Sequence, residues 1–247
     1  MNKYYYDFHI HSCLSPCADN DMTPNNIAGM ATLAGINAAA LTDHNTSKNC
    51  PAFFQAAKKN GIVPVAGMEL TTAEDIHILC LFEKLESAMD FDEYVSSHRI
   101  LIKNRPEIFG DQLLTDKDDN VTGTDEYLLP NATDITVDGV YDIVKKHGGI
   151  SYPAHVDREA NGIIATLGAF PEECKFSCAE FYDENKIESY REKYPALAEK
   201  KLLLSSDAHY LWDIKDKRDY FEIDDEPYSG EKVRHEIFEI LRAVQKY

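Results

Sequence analysis

Short apolar runs that end in polar or ionisable residues recur along the chain. Seven of them read as strands: YYYDFHIH from Tyr4, INAAALTDHN from Ile36, IVPVAGMEL from Ile62, IHILCLF from Ile76, GGISYPAHV from Gly148, CAEFYD from Cys178 and KLLLSSDAH from Lys201. Several alternate with helical periodicity, which predicts a mostly parallel α/β arrangement.

The clearest helix starts at Thr23, a good N-cap, followed by Pro24 at the first helical position. Ile27, Met30, Ala31 and Ala34 form its apolar stripe and Gly35 its stop. A second helix follows Pro51, turns Phe54 and Ala57 inward and ends at Gly61. A third uses Val140, Ile143 and Val144 and stops at Gly148, and the last aligns Val233, Ile237, Ile240, Leu241 and Val244. All four stripes read as core packing. From about Glu86 to Asn131 the rhythm breaks. This stretch holds HRILIKNRPEIFGDQ and the turn-rich TDKDDNVTGTDE, and Asn120–Gly123 is expected to close a hairpin. We read it as an insertion within a single domain spanning 1–247, placed to shape substrate choice. A surface excursion is the alternative.

The length of 247 residues suits one barrel-type domain, and 44% hydrophobic residues provide for a sizeable core. With 25 basic and 43 acidic residues the formal charge is −18. Such a surface repels nucleic acid and anionic membranes at long range, so neither long nucleic acid nor a membrane is an expected partner. A small phosphorylated substrate is compatible, because local cations can reverse the field inside a pocket. No stretch is long and apolar enough to span a bilayer. The opening MNKYYYDFHIH runs at once into the first strand and leaves no room for a signal peptide. The expected location is the cytoplasm, where the six cysteines are mostly thiols.

Six of the nine histidines lie in or at the end of a predicted strand: His9, His11, His44, His77, His155 and His209. In parallel α/β barrels the strand C-termini share one mouth, so residues distant in sequence converge there. His9 and His11, two apart on a strand, face one side and can grip one ion. His77 is the only imidazole in a strongly apolar run and needs a partner. Glu69 closes another apolar run, where a buried carboxylate is costly unless paired or metal-bound. Asp207 and His209 repeat the i, i+2 spacing. Together these imply a multinuclear site for manganese, zinc or iron, with the metal left open by ligand softness. His147 suits the last turn of a helix, His235 the polar side of the last helix, and His98 a solvated loop.

In this order, DFHIHS, ALTDHN, GMEL, DIHIL, YPAH and SSDAH resemble the polymerase and histidinol phosphatase (PHP) superfamily of metal-dependent phosphoesterases. The resemblance covers nearly the whole chain, the insertion least, and is nearest to the small stand-alone members. It implies a distorted (β/α)7 barrel. By resemblance, His9, His11, Glu69 and Asp207 hold a first metal, and Glu69 bridges to a second held by His77 and His155. His44 and His209 hold a third, with Asp43 behind the ligands. The family usually adds an Asp or His shortly after the HxH pair, where this chain has the longer HSCLSPCADNDMTP. Asp19 keeps the family's carboxylate chemistry, Cys17 is the rival for zinc, and a two-metal site is the remaining alternative.

The resemblance implies hydrolysis of a small phosphate ester by water activated at two or three divalent ions, which also stabilise charge on the phosphoryl oxygens. His155, Asp207 and His209 would form the catalytic group. Arg158, three residues past His155, is the expected phosphate-binding cation, with a surface ion pair as its alternative. Three rival readings stand beside this one. Amidohydrolases also begin with HxH, but Glu69 and Asp207-x-His209 favour phosphoester chemistry. An exonuclease on single-stranded ends would use the same centre. A non-catalytic metal-stabilised module would be expected to have lost ligands. A separate metal site built from the CxxxC pairs Cys13/Cys17 and Cys174/Cys178 ranks below reduced thiols.

Overall fold

The computed structural model describes residues 1–171 and 175–243. Its strands are β1 (Asn2–Asp7), β2 (Ala38–Leu41), β3 (Val63–Thr71), β4 (His77–Phe82), β5 (Leu113–Thr115), β6 (Val121–Thr124), β7 (Gly149–Pro153), β8 (Cys178–Phe181), β9 (Lys201–Leu204) and β10 (Tyr220–Ile223). The seven apolar runs all become strands: β1 to β4 and β7 to β9.

One curled sheet runs in the order β10-β1-β2-β3-β4-β7, and β8 pairs with β9 in parallel. Two contacts continue the curl into a distorted barrel. The Val156 N–H donates to Glu180 O at 2.8 Å beyond the end of β7. Past the ends of β1 and β9, Ile10 bridges Ala208 in parallel and the His11 N–H donates to Ala208 O at 3.0 Å. β1, β2 and β3 are parallel, as the alternating pattern predicts. β4 is not: it pairs antiparallel with both β3 and β7. The reason is chain length. Only residues 72–76 separate β3 from β4, whereas a parallel crossover needs a dozen or more. β10, paired antiparallel to β1, was not read from the sequence, although its exposed–buried alternation has the strand period.

Helix signals translate directly. The Thr23 hydroxyl caps the helix Pro24–Leu33 by accepting from Asn26 N–H, and Gly35 takes the left-handed conformation that ends it, at φ 74°. In the helix Cys50–Lys59, Phe53 is the fully buried ring, with Phe54 beside it. The helix Gly230–Arg242 buries Val233, Ile237, Phe238 and Leu241, while Val244 lies outside the described residues. This last helix closes the barrel end opposite the histidines. Its Arg234 donates to Pro64 O at the start of β3 and to Glu83 O just past β4.

The helix Leu85–Ser96 packs Ala88, Phe91 and Val95 into the core. The irregular excursion therefore starts only after it, later than the pattern suggests. A hairpin is present, but its turn is Asp116–Asn120 and its strands are β5 and β6. The Asp116 carboxylate builds that turn by accepting from the Asp118 and Asn120 N–H groups. The excursion seals against residues 13–25. The Leu113 N–H donates to Cys13 O at 2.8 Å, and Asp119 accepts from Thr23 and Asn25. Gly110, at φ 100°, lies so close that a Cβ there would come within 2.1 Å of Pro16 O.

Candidate metal centre

Glu69 is the hub. It lies near the end of β3, and its backbone is stitched to the residues after β2: its N–H donates to Asp43 O, and its carbonyl accepts from Asn45 N–H at 3.0 Å. Its carboxylate meets five imidazoles. Oε1 lies 2.9 Å from His77 Nδ1, 3.1 Å from His155 Nε2 and 3.3 Å from His9 Nε2. Oε2 lies 3.1 Å from His44 Nδ1 and 3.3 Å from His11 Nε2. Asp207 Oδ1 completes the group, 3.2 Å from His9 Nε2 and 3.3 Å from His11 Nε2. His209 stacks on His11 at 4.3 Å between ring centroids.

His77 joins from an unexpected direction. The strand C-termini were expected to supply the site, but β4 runs backwards, so its first residue reaches the same mouth. His155 and Asp207 hold left-handed backbones, at φ 28° and 51°. Non-glycine residues in that region are strained, and such strain concentrates at functional sites.

The donor set fits metal ions. His9 Nδ1 faces Glu180 at 2.8 Å, a carboxylate that can only accept when ionised. Ser15 Oγ donates to Asp43 and therefore accepts from His11 Nδ1–H at 3.0 Å. In the neutral rings both Nε2 atoms then carry lone pairs, yet they face each other at 3.1 Å. Only a cation, a proton or a metal ion, makes that approach favourable. His77 Nδ1, His44 Nδ1 and Asp207 Oδ1 are buried without a hydrogen-bond partner, as ligand atoms would be. Among the described residues three groups bring their ligand atoms within 4.8 Å of one another: His9–His11–Glu69–Asp207, His44–Glu69–His77 and His11–His44–His209.

The electrostatics point the same way. Burial opposes a charged His9, but Glu180, Asp207 and Glu69 outweigh it and lift its pKa well above the ordinary histidine range. Burial likewise works against an ionised Glu69, but His77, His9 and His44 hold its carboxyl well below the usual range. The pocket is built to hold positive charge.

A second ring of contacts sets ligand orientation. Asp43 accepts from Ser12 N–H, Ser12 Oγ and Ser15 Oγ, each at 2.7 Å, so it acts behind His11. Asp7, pushed up to about 6 by burial, takes the His9 and Ser206 N–H groups and ties β1 to the segment after β9. Sequence reading missed Glu180 and Ser15. Glu180, inside the apolar CAEFYD, carried the same buried-carboxylate signal as Glu69, whereas nothing in the sequence marked Ser15.

Asp19 is not brought to the cluster. Its carboxylate accepts from Asp21 N–H at 2.8 Å, while its own N–H donates to His209 O at 2.9 Å. This turn pins the backbone beside His209 and leaves the side chain elsewhere. Cys17 lies at the rim beside His44 and His209 instead. Although the residue is exposed at the rim, the thiol is desolvated; burial opposes ionisation, but His44 and His209 bring its pKa down to about 5. Cys13 faces Leu113 O and Cys178 faces Leu241 O, so neither joins Cys17, and Cys174 lies outside the described residues. Arg158 pairs with the outer oxygen of Asp207 and lies 3.9 Å over the Tyr182 ring. His98 pairs with Asp134 and His235 with Glu83, both away from the cluster.

The sequence profile of the PHP domain matches residues 7–165. A 5'-3' exoribonuclease of Haemophilus influenzae is 33% identical over 112 residues, which cover 44% of this chain and 39% of that protein. The fold resembles a lesion-specific endonuclease from Pyrococcus furiosus, with a TM-score of 0.66 and 18% identity over 97% of this chain and 56% of the other. It also resembles a Bifidobacterium adolescentis protein described provisionally as a metal-dependent phosphoesterase, with a TM-score of 0.58 and 16% identity over 98% and 97% of the two chains. The chain thus spans about two fifths of the curated relative and just over half of the endonuclease. Nuclease names among these relatives remove the ground for setting nucleic acid aside on net charge alone. On the profile match and the barrel that carries it, the chain belongs to the PHP domain family of metal-dependent hydrolases.

Proposed function

We propose that this chain hydrolyses phosphate esters, using two or three divalent ions. The observation that carries the reading is Glu69, whose two oxygens lie within 3.3 Å of five imidazole nitrogens. His9, His11, Glu69 and Asp207 would hold the first ion. Glu69 would bridge to a second at His77 and His155, and His44 and His209 would hold a third. Bound divalent ions lower the pKa of water and stabilise charge on phosphoryl oxygens. The side chains supply ligands with fixed tautomers. His209 Nδ1–H donates to Asp207 O at 2.9 Å, leaving Nε2 free to coordinate. Arg158, about a third exposed and anchored on Asp207, has donors left for a substrate phosphoryl oxygen. With no thiol among the described residues in a disulfide, a cytoplasmic setting is consistent. No helix among them is long and apolar enough to cross a membrane.

The substrate we favour is a small phosphate ester. A second reading, a short single-stranded nucleic-acid end, is favoured by exposed aromatics beside the cluster. Tyr210 directly follows His209 and stacks on the exposed Trp212 at 4.9 Å, while Tyr182 lies under Arg158. Tyr182, Lys186, Lys215 and Arg218 line one cleft together with Asp183 and Glu184, so cations outnumber carboxylates there by one on an otherwise acidic protein. The test is metal analysis with a panel of phosphate mono- and diesters, mononucleotides and short 5'-phosphorylated oligonucleotides. Turnover of a member of the panel that disappears in the double variant His9→Ala/His11→Ala is expected. Bound metal with no turnover on any ester would sink the enzymatic reading and favour a binding module.

A further inference from the structure

We infer that Tyr182 is a positioning residue for Arg158: its ring holds the guanidinium plane so that the donors not used by Asp207 face a phosphoryl oxygen at the metal centre. The inference rests on the phosphoester reading above and concerns how the cation nearest the ligands is held. Arg158 is gripped twice. One edge of the guanidinium pairs with Asp207 Oδ2, and its face lies 3.9 Å over the Tyr182 ring. A guanidinium carries its five donors in one plane, so an edge contact and a face contact together fix its orientation. The ring face is also electrostatically negative, which favours the charged group above it. The ring, not the hydroxyl, makes this contact.

Both partners sit on tied backbone. Arg158 lies in the turn after β7, and its own N–H closes that turn by donating to His155 O at 2.9 Å. Gly162 packs on the turn so closely that a Cβ there would lie 2.4 Å from Arg158 O. Tyr182 directly follows β8, and the buried carboxylate of Asp157 clamps it from across the sheet edge. Asp157 Oδ1 accepts from the Tyr182 N–H at 2.8 Å, and Oδ2 from the Asp183 N–H at 3.0 Å. The Lys186 ammonium adds a hydrogen bond to Asp157 O at 3.0 Å. The residue before Arg158 thus fixes the backbone of the residue beneath its guanidinium. A side chain oriented in advance loses less freedom when phosphate binds than a mobile one. The ring face covered by Arg158 is not available to a stacked base, so this role is distinct from that of the Tyr210–Trp212 pair.

The test uses the manganese-loaded full chain and inorganic phosphate, which has no base to stack; calorimetric titration gives its Kd. Tyr182→Leu keeps bulk but removes the π face, and should weaken phosphate about 3–10-fold at unchanged metal content. Tyr182→Phe, which keeps the face, should restore the affinity. Arg158→Ala should itself weaken phosphate, and adding Tyr182→Leu to it should change the Kd by less than about twofold, because the two residues act as one unit. This inference alone is overturned if Tyr182→Leu has no effect, has the same effect with and without Arg158, or is matched by Tyr182→Phe. Loss of metal from Tyr182→Leu would also overturn it, by assigning the ring to support of the ligands. An Arg158→Ala protein with the parent Kd would remove Arg158 from phosphate, and the inference with it. A protein that binds no manganese and turns over no phosphate ester would instead overturn the phosphoester reading beneath it.

Discussion

Glu69 and His77 meet across an antiparallel strand pair. Glu69 sits opposite Leu79 and His77 opposite Thr71, which makes the two diagonal neighbours on one face, with Oε1 2.9 Å from Nδ1. The contact exists because β4 turns back on β3. Glu69→Gln preserves shape and removes the charge that five imidazoles surround. We expect metal content to fall by at least one ion. Turnover should drop more than about 100-fold, beyond the 10–100-fold usual for partners behind the ligands. Plasma emission metal analysis beside steady-state rates checks this; unchanged metal content would remove Glu69 from the centre.

Gly67 sets that register. A Cβ there would lie 2.6 Å from Cys80 O and 2.8 Å from the Leu81 side chain. Gly67→Ala should destabilise the protein by about 1–3 kcal/mol, as overpacking does, and should weaken metal binding by displacing Glu69 from His77. Denaturant unfolding measures the first effect and metal titration the second. A variant as stable as the parent would show that β3 and β4 have slack the structure does not suggest.

Asp43 touches no proposed ion yet orients His11 through Ser15. Asp43→Asn should leave the fold intact by circular dichroism and lower metal affinity about 10–100-fold. Ser15→Ala should do the same. If affinity is unchanged in both, the tautomer assigned to His11 is wrong.

Stability of the metal-free protein should depend on pH in a defined direction. Burial opposes charge on His9, His11 and His44; against it, Glu180 and Asp207 lift His9, Asp207 and Glu69 lift His11, and Cys17 and Glu69 lift His44. Raised histidines contribute stability that is complete below the unfolded value of 6.5 and is lost as pH rises through the folded values. His77, pushed down by burial, offsets part of this. Glu69 and Asp207 are depressed, so their contribution is complete above their unfolded values of 4.5 and 3.8 and disappears only in acid. Chelated protein should therefore melt lower as pH rises above 6.5, whereas metal-loaded protein should gain, because protons no longer compete for its ligands. At this size about 1 kcal/mol moves the midpoint by about 2–4 °C, which scanning calorimetry resolves. A flat chelated profile would contradict the charge arrangement.

Trp212 is the chain's only tryptophan and is 72% exposed, so its fluorescence reports one place. If the nucleic-acid reading holds, a short 5'-phosphorylated oligonucleotide should quench it. Trp212→Ala should then raise the oligonucleotide KM about 10-fold with little change in kcat, consistent with about 1–3 kcal/mol per stacked base. Quenching no greater than with inorganic phosphate would leave the small-ester reading in possession.

Local rules account for what was legible. The capped helix at Thr23–Gly35, the seven strand runs and the buried acid Glu69 rest on periodicity, turn chemistry and the cost of burying charge, all readable from neighbours in sequence. The excursion's start was misplaced because Leu85–Ser96 has a core face that only its packing reveals. The hairpin turn was misplaced because the Asp116 carboxylate captures the Asn120 N–H and closes the turn before Val121.

By itself the sequence determined seven strand runs in an α/β pattern and a histidine–carboxylate set at their ends, because strand period and burial cost are local properties; the barrel was implied by the family resemblance. Tertiary structure decided what depends on chain path. It turned β4 around so that His77 enters by its first residue, it recruited Glu180 and Ser15 to hold the ring tautomers, and it put the Cys17 thiol rather than the Asp19 carboxylate beside His44 and His209. Glu180 reaches His9 from 171 residues away, whereas Ser15, β4 and the choice of Cys17 over Asp19 depend on the local path of the backbone. Composition and spacing are silent on both, because only the three-dimensional path fixes which atoms meet.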